Sequence, residues 1–303
     1  MNYITSKNTT TGQETKLYYQ DIGEGQPVVF LHGWPMSHEM WEYQISDLAL
    51  LGLRCIAYDR RGFGKSSKPL GGYDYDTLAD DLEAVLAELD LENVVLVGFS
   101  MGGGEVARYF TRHGSNRIAK VVLVGSVTPF MLKTGDNEDA VDIGVFEGMI
   151  EGLKNDRIGF LDEFGKNFFG VTLMHHPLSA PLLEYYRMLC SFASPIATVD
   201  CVKAFAQTDF RADLAAITVP TLIIHGDEDK IVPIEVSSNK TAKMITGNQF
   251  VIYEGAPHGL FYTHRHRLNK DLVDFIYGNP LREETLPPDS VILPSNDSAI
   301  DVL

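Results

Sequence analysis

The chain has 303 residues, 45% of them hydrophobic, with 25 Lys and Arg against 41 Asp and Glu and a net charge of −16. That length holds a large core, as one α/β domain with an insertion or as two small domains. The acidic balance argues against nucleic acid and anionic membrane surfaces as partners, since both are met by basic patches. No apolar run is long enough to span a bilayer, and the polar start, MNYITSKNTTTGQETK, has no signal-peptide core. Cys55, Cys190 and Cys201 show neither metal-type nor CxxC spacing. An odd count without an export signal predicts reduced thiols in the cytoplasm.

In chain order, KLYYQDI (16–22) reads as a half-buried strand, polar on one side like the edge of a sheet. PVVFLHG (27–33) is a buried strand that stops at a glycine, and residues 37–51 carry Met40, Ile45, Leu48 and Leu51 at helical spacing. RCIAYD (54–59) is again a strand. Residues 75–90 place Leu78, Leu82, Val85, Leu86 and Leu89 on one helical face, with acids in the first turns where the macrodipole favours them. Val94–Val97 then enters a Gly-x-Ser-x-Gly turn at 98–102, which a helical pattern leaves, and AKVVLVGS (119–126) returns to a buried strand. Residues 127–216 contain no convincing strand but several helical pieces rich in Phe. They read as a helical cap inserted into the fold, with an aromatic core or an apolar substrate pocket beneath it. The sheet resumes at VPTLIIHGDED (219–229). Pro233 opens a helix to about 246, NQFVIYEG (248–255) is a last strand, and a final helix covers about 261–277. Strands alternating with helices predict a mostly parallel, doubly wound sheet built from residues 1–126 and 217–279. Residues 280–303 read as an appended acidic tail containing Pro and Ser.

The strand–Gly-x-Ser-x-Gly–helix unit has the context of a nucleophile elbow. Side chains at 98 and 102 would strike the neighbouring strand and helix, and the turn lifts Ser100 beside a helix N-terminus. A serine hydroxyl at neutral pH needs a base, and the base needs a carboxylate. In a doubly wound sheet these come from the carboxyl ends of strands. Asp227 and Asp229 follow the strand after the cap, and His258 follows the last strand. The order serine, acid, histidine differs from that of the chymotrypsin and subtilisin triads. Backbone N–H groups of Trp34, after the second strand, and of Met101, after the serine, are positioned to bind an oxyanion. His32 and His225, at strand ends, read as structural hydrogen-bonding groups, and Arg60-Arg61 as a salt-bridge anchor. His175-His176 and the His264/His266 pair, placed on an exposed helix face, come without a third ligand, so no metal site is expected. No Lys-Ser/Thr follows Gly102-Gly103-Gly104, so no nucleotide site is expected either.

The segments HGWPMSHEMWE, YDRRGFGKSSKP, GYDYDTLADDL, GFSMGGGEVARY, VDCVKAFAQTDFRADL, HGDEDKIVP and APHG, in order from about 17 to 277, resemble the α/β-hydrolase superfamily. More narrowly, the chain is similar to the bacterial cofactor-free arylesterases and non-haem chloroperoxidases (perhydrolases). The resemblance implies the α/β-hydrolase fold and a Ser100–Asp229–His258 triad, leaving Asp227 in a supporting role. It implies oxyanion amides at Trp34 and Met101, and an acyl pocket lined by Phe146, Phe164, Phe168, Phe205 and Val232. Pro35, after the oxyanion Trp, is the residue associated with perhydrolysis in such proteins. The activity implied is hydrolysis of small esters through an acyl-enzyme, with hydrogen peroxide as an alternative acceptor, no cofactor and room for a homo-oligomer. The same triad also serves lactonases, carbon–carbon bond hydrolases and acyltransferases, and some receptors keep a hydrolase fold. Dehalogenases and epoxide hydrolases are excluded, because they use Asp where this chain has Ser100. The 280–303 tail lies outside the resemblance.

Overall fold

A computed structural model describes residues 2–7, 12 and 14–281. Eight strands form one sheet: β1 (Tyr3–Lys7), β2 (Glu14–Ile22), β3 (Gln26–Leu31), β4 (Leu53–Tyr58), β5 (Val94–Phe99), β6 (Ile118–Val124), β7 (Thr221–Gly226) and β8 (Gln249–Tyr253). Their order is β1-β2-β4-β3-β5-β6-β7-β8. The β1/β2 and β2/β4 pairs are antiparallel and every other pair is parallel. All six residues of β5 and of β7 are buried, which is why these strands read as unbroken apolar runs rather than alternating ones.

Helices α1 (Glu42–Leu50), α2 (Tyr75–Glu88) and α3 (Met101–His113) connect β3 to β4, β4 to β5 and β5 to β6. The step from β3 to β4 runs one way along the sheet and the step from β4 to β5 runs back past β3. Right-handed crossovers therefore put α1 and α2 on opposite faces. This reversal makes β3 and β5 neighbours at a topological switch point, where a crevice opens beyond their carboxyl ends. Leu31 leads there into His32-Gly33-Trp34, and Phe99 leads into Ser100.

Between β6 and β7 the chain forms α4 (Ile143–Asn155), α5 (Arg157–Phe168), α6 (Ala180–Ser191), α7 (Pro195–Gln207) and α8 (Arg211–Ala215) and adds no strand to the sheet. Asp142, Asp156, Ser179 and Ser194 cap α4 to α7 by accepting a backbone N–H from the first turn. After β7 come α9 (Ser238–Met244), α10 (Leu260–Thr263) and α11 (Arg265–Tyr277). Among the described residues no single helix is long and apolar enough to cross a membrane.

The structure departs from the sequence reading at three places. β2 is not the edge, because β1 pairs with it from Tyr3↔Tyr18 to Lys7↔Glu14. The helix expected from Pro233 starts only at Ser238, because residues 233–237 form a turn in which Ser237 Oγ donates to the Pro233 carbonyl at 2.7 Å. The last helix breaks at His264, whose backbone leaves the helical region at φ −128° and ψ 32°. That histidine is buried, not exposed. The tail expected at 280–303 lies outside the described residues from 282 onward.

Candidate active site

β5 delivers Ser100 into a turn with φ 55° and ψ −119°, a left-handed conformation that costs a non-glycine residue of order 1–3 kcal/mol. The turn closes only because its flanks lack side chains. A Cβ on Gly98 would lie 2.7 Å from the Gly102 carbonyl oxygen, and one on Gly102 would lie 2.6 Å from that of Leu31. α3 starts at the next residue, Met101, so the Met101 N–H has no helical carbonyl behind it and points from the positive end of the helix.

His258 Nε2 lies 2.9 Å from Ser100 Oγ, and its Nδ1 lies 2.6 Å from Asp229 Oδ2. A carboxylate only accepts, so Nδ1 carries the proton and Nε2 is free to accept from the serine hydroxyl. The rings of Phe99 and Phe168 each pack 4.8 Å from the imidazole centroid and fix its plane. Asp229 is held from its other side by the backbone N–H groups of Ile231 at 2.9 Å and Val232 at 2.8 Å. Burial pushes the Asp229 carboxyl up. The facing His258 and the hydrogen bonds from His225 and His258 outweigh this and hold it well below the usual carboxylate range. Asp227 does not reach His258; it accepts the Gly255 N–H at 2.6 Å and ties the loop after β7 to the loop after β8.

Opposite Ser100, the loop after β3 approaches closely because Gly33 lacks a Cβ, which would lie 3.2 Å from that of Ser100. Trp34 follows, its indole N–H anchored on the Thr198 carbonyl of α7 at 3.0 Å. Ser100 and Trp34 open into a cavity with Phe146, Phe164, Phe205 and Val232 in its wall; every lining side chain except that of Ser100 is apolar.

Residues 26–265 match the family model for the alpha/beta hydrolase fold. The chain belongs to the α/β-hydrolase family. Its curated relatives include a non-heme haloperoxidase of Rhodococcus erythropolis, 41% identical over 268 residues, 88% of this chain and 98% of that protein. Another is a bifunctional esterase/perhydrolase of Acinetobacter calcoaceticus, 37% identical over 279 residues, 91% of this chain and 99% of that one. Among solved structures, a bromoperoxidase from Bacillus anthracis superposes with a TM-score of 0.86 at 45% identity, covering 91% of this chain and 99% of its own. An esterase from Exiguobacterium antarcticum follows at 0.85 and 36%, with the same coverage.

Phe168, expected in the acyl pocket, and Pro35, expected beside the substrate, do not line this cavity. Pro35 and Phe168 line a neighbouring cavity, which shares Phe164 with the first. Phe164 and Phe168 are one helical turn apart on α5, so the two rings sit on one face and divide the space between them. Pocket residues that the sequence reading missed include Val127, Met131, Met149 and Ile231. Of these only Ile231, beside Val232, carried a positional signal.

The loop that holds Trp34 is tied to α3, the helix after Ser100. Arg60 donates to the His32 carbonyl at 2.8 Å and, through its backbone N–H, to His32 Nε2 at 3.0 Å; its Nε donates to Glu105 of α3 at 2.8 Å. Burial, and next the Arg60 charge, depress the His32 pKa well below its ordinary value, so the ring is neutral and structural. Arg61 makes a second buried pair with Asp81.

His38, Glu39 and Asp59 also meet, within 4.8 Å of one another. Their groups are already engaged. Asp59 accepts the backbone N–H of His38 at 2.8 Å and that of Lys65 at 2.7 Å, and Glu39 accepts Ser37 Oγ at 2.6 Å and pairs with Lys65 at 3.0 Å. The cluster pins the loop after β3 to the loop after β4. Burial lowers the His38 pKa, but the bonds to Asp59 and Glu39 outweigh it and raise it to about 9. A raised folded pKa stabilises fully below the ordinary 6.5 and loses that contribution as pH rises through about 9. The parent is therefore expected to exceed His38→Gln in Tm most at pH 6 and least at pH 10. Equal gaps at the two pH values would contradict the assignment.

Proposed function

We propose that this hydrolase is a serine carboxylesterase or arylesterase that acts through an acyl-enzyme and accepts hydrogen peroxide as an alternative to water. The observation that supports this most is the continuous hydrogen-bonded chain from Asp229 through His258 to Ser100, ending at an apolar cavity. The names of the esterase/perhydrolase and esterase relatives support the same chemistry.

In this reading His258 Nε2 takes the Ser100 proton as Oγ attacks the ester carbonyl, and the Trp34 and Met101 N–H groups hold the oxyanion. The carbon–oxygen bond to the alcohol breaks, and the alcohol leaves with the proton held by His258. Water then gives a proton to His258 and attacks the acyl carbon, releasing the carboxylic acid and restoring Ser100. With hydrogen peroxide in place of water, the product is a peroxycarboxylic acid. Residues 127–216 act as the cap, supplying Phe146, Phe164 and Phe205 to the acyl site. The three cysteines are free and buried, which fits the cytoplasmic setting proposed for it.

An acyl cavity without a charged or polar wall selects uncharged acyl groups. 4-Nitrophenyl acetate and butyrate are expected to turn over, and the 4-nitrophenyl hemisuccinate to do so roughly 100-fold less efficiently in kcat/KM, because its carboxylate is desolvated without a partner. No hydrolysis of any ester would contradict the function, and equal turnover of all three would contradict the acyl site.

Pro35 has no N–H and a fixed φ, which constrains the carbonyl of Trp34 beside the nucleophile. Pro35→Leu is expected to lower the ratio of peracid formation to ester hydrolysis, measured on one acetate ester with and without peroxide. An unchanged ratio removes Pro35 from the account.

A further inference from the structure

His225 lies at the end of β7, fully buried, four residues before Asp229. Its Nε2 stands 2.8 Å from the Val232 carbonyl and 3.1 Å from Asp229 Oδ2, the same oxygen that His258 Nδ1 approaches at 2.6 Å. Both neighbours of Nε2 accept only, so Nε2 carries the proton. Nδ1 then accepts from Ser238 Oγ, 2.7 Å away at the first position of α9 and also fully buried. Hydrogen bonds run from Ser238 to His225 and from Asp229 through His258 to Ser100, and the 3.1 Å contact between His225 Nε2 and Asp229 Oδ2 joins the two.

Val232 joins this chain to the substrate site. Its carbonyl receives His225, its N–H holds Asp229 Oδ1, and its side chain lines the cavity below Ser100. Oδ1 is fixed by two backbone groups and Oδ2 is shared by two histidines.

We infer that His225 is a positioning residue of the triad: its Nε2–H holds Asp229 in place and takes up part of the carboxylate charge, so that His258 can both accept the Ser100 proton and release it to the leaving group. The role rests on the nucleophile reading above. A donor on the carboxylate weakens its pull on an imidazolium; without that donor Asp229 would bind protonated His258 more tightly. The other groups against the His258 ring, Phe99 of β5 and Phe168 of α5, bring no charge, and Ser238 of α9 brings a neutral hydroxyl to His225.

The test compares His225→Leu, which removes the donor, with His225→Gln, whose amide N–H can reach the position of Nε2, and with Ser238→Ala. In His225→Leu the acid limb of kcat/KM for 4-nitrophenyl acetate is expected to move up by roughly half a pH unit or more, and kcat to fall roughly tenfold. His225→Gln should keep the limb near that of the parent, and Ser238→Ala should move it slightly in the direction of Leu. A loss of packing alone would lower activity without moving the limb. A folded His225→Leu with the parent limb, or His225→Gln as impaired as Leu, would overturn the proposal. Nitrogen-15 NMR of the parent supplies a reading that needs no variant: His225 should be neutral with its proton on Nε2, and a proton on Nδ1 overturns the proposal. If no ester is hydrolysed the nucleophile reading fails, while the NMR titration of His258 in parent and variants still decides the role of His225.

Discussion

Replacing Ser100 by Ala lowers kcat for 4-nitrophenyl acetate by at least about 10³-fold, with the fold retained. The size follows from the site. In the proposed mechanism Oγ forms the acyl bond, and the remaining groups only orient substrate and support an oxyanion. Stability separates from activity at this position. Ala keeps the strained φ of 55° and loses only the 2.9 Å bond to His258. Ser100→Gly relieves the strain as well, and is expected to be roughly 1 kcal/mol more stable than Ser100→Ala, and just as inactive. Urea unfolding of the two variants checks this. A Ser100→Ala protein that keeps parental turnover would remove Ser100 from the chemistry.

Glu105→Ala is expected to cost about 3–5 kcal/mol of stability, the largest single effect outside the apolar core. Glu105 and Arg60 are both essentially fully buried, at 0% and 1% exposure, and the Tyr58 hydroxyl also bonds to Glu105. Burial pulls the Arg60 pKa down, but the facing Glu105 carboxylate more than restores it. Deleting the acid leaves a buried guanidinium charge facing the His32 carbonyl and the Phe63 ring, with no carboxylate to neutralise it. Because Arg60 also ties down the His32–Trp34 loop, the surviving folded fraction should lose kcat through a displaced oxyanion donor. The midpoint of urea unfolding, with unchanged slope, measures the first effect. A shift worth less than about 1 kcal/mol would mean that the pair contributes little.

The strand–turn–helix around Ser100 was legible because two independent patterns coincide there, an apolar strand and glycines at the positions where backbone meets backbone. The alternation of strands and helices placed the candidate residues at the carboxyl ends of strands, but the strand order that sets Trp34 and Ser100 at adjoining ends is visible only in the structure. The acid remained double in the residues themselves, since Asp227 and Asp229 both follow β7; the resemblance chose between them. The turn after the strand sends Asp227 to Gly255 and Asp229 to His258, and that choice depends on a loop shape no local pattern encodes. β1 was missed because YITSK buries only Ile4 and Ser6, a pattern with too little apolar signal to stand apart from a polar terminus. Pro233 carried a helix-start signal that a local bond from Ser237 overrides. Within residues 127–216, composition announced an aromatic interior but not its partition. Phe164 faces both cavities while Phe168 lies against His258, and only packing between α5 and the core decides that. His225 looked like an ordinary buried histidine because its acceptors, Val232 and Asp229, come from the loop after its own strand.

The proposed activation of Ser100 by His258 and Asp229 is checked by treating the intact protein with an aryl fluorophosphonate and locating the adduct by mass spectrometry of peptides, alongside residual esterase activity. One adduct per chain is expected, on Ser100, appearing in step with loss of activity and slowed strongly in Asp229→Asn. Full activity with no adduct, or inactivation by an adduct on another residue, would contradict it.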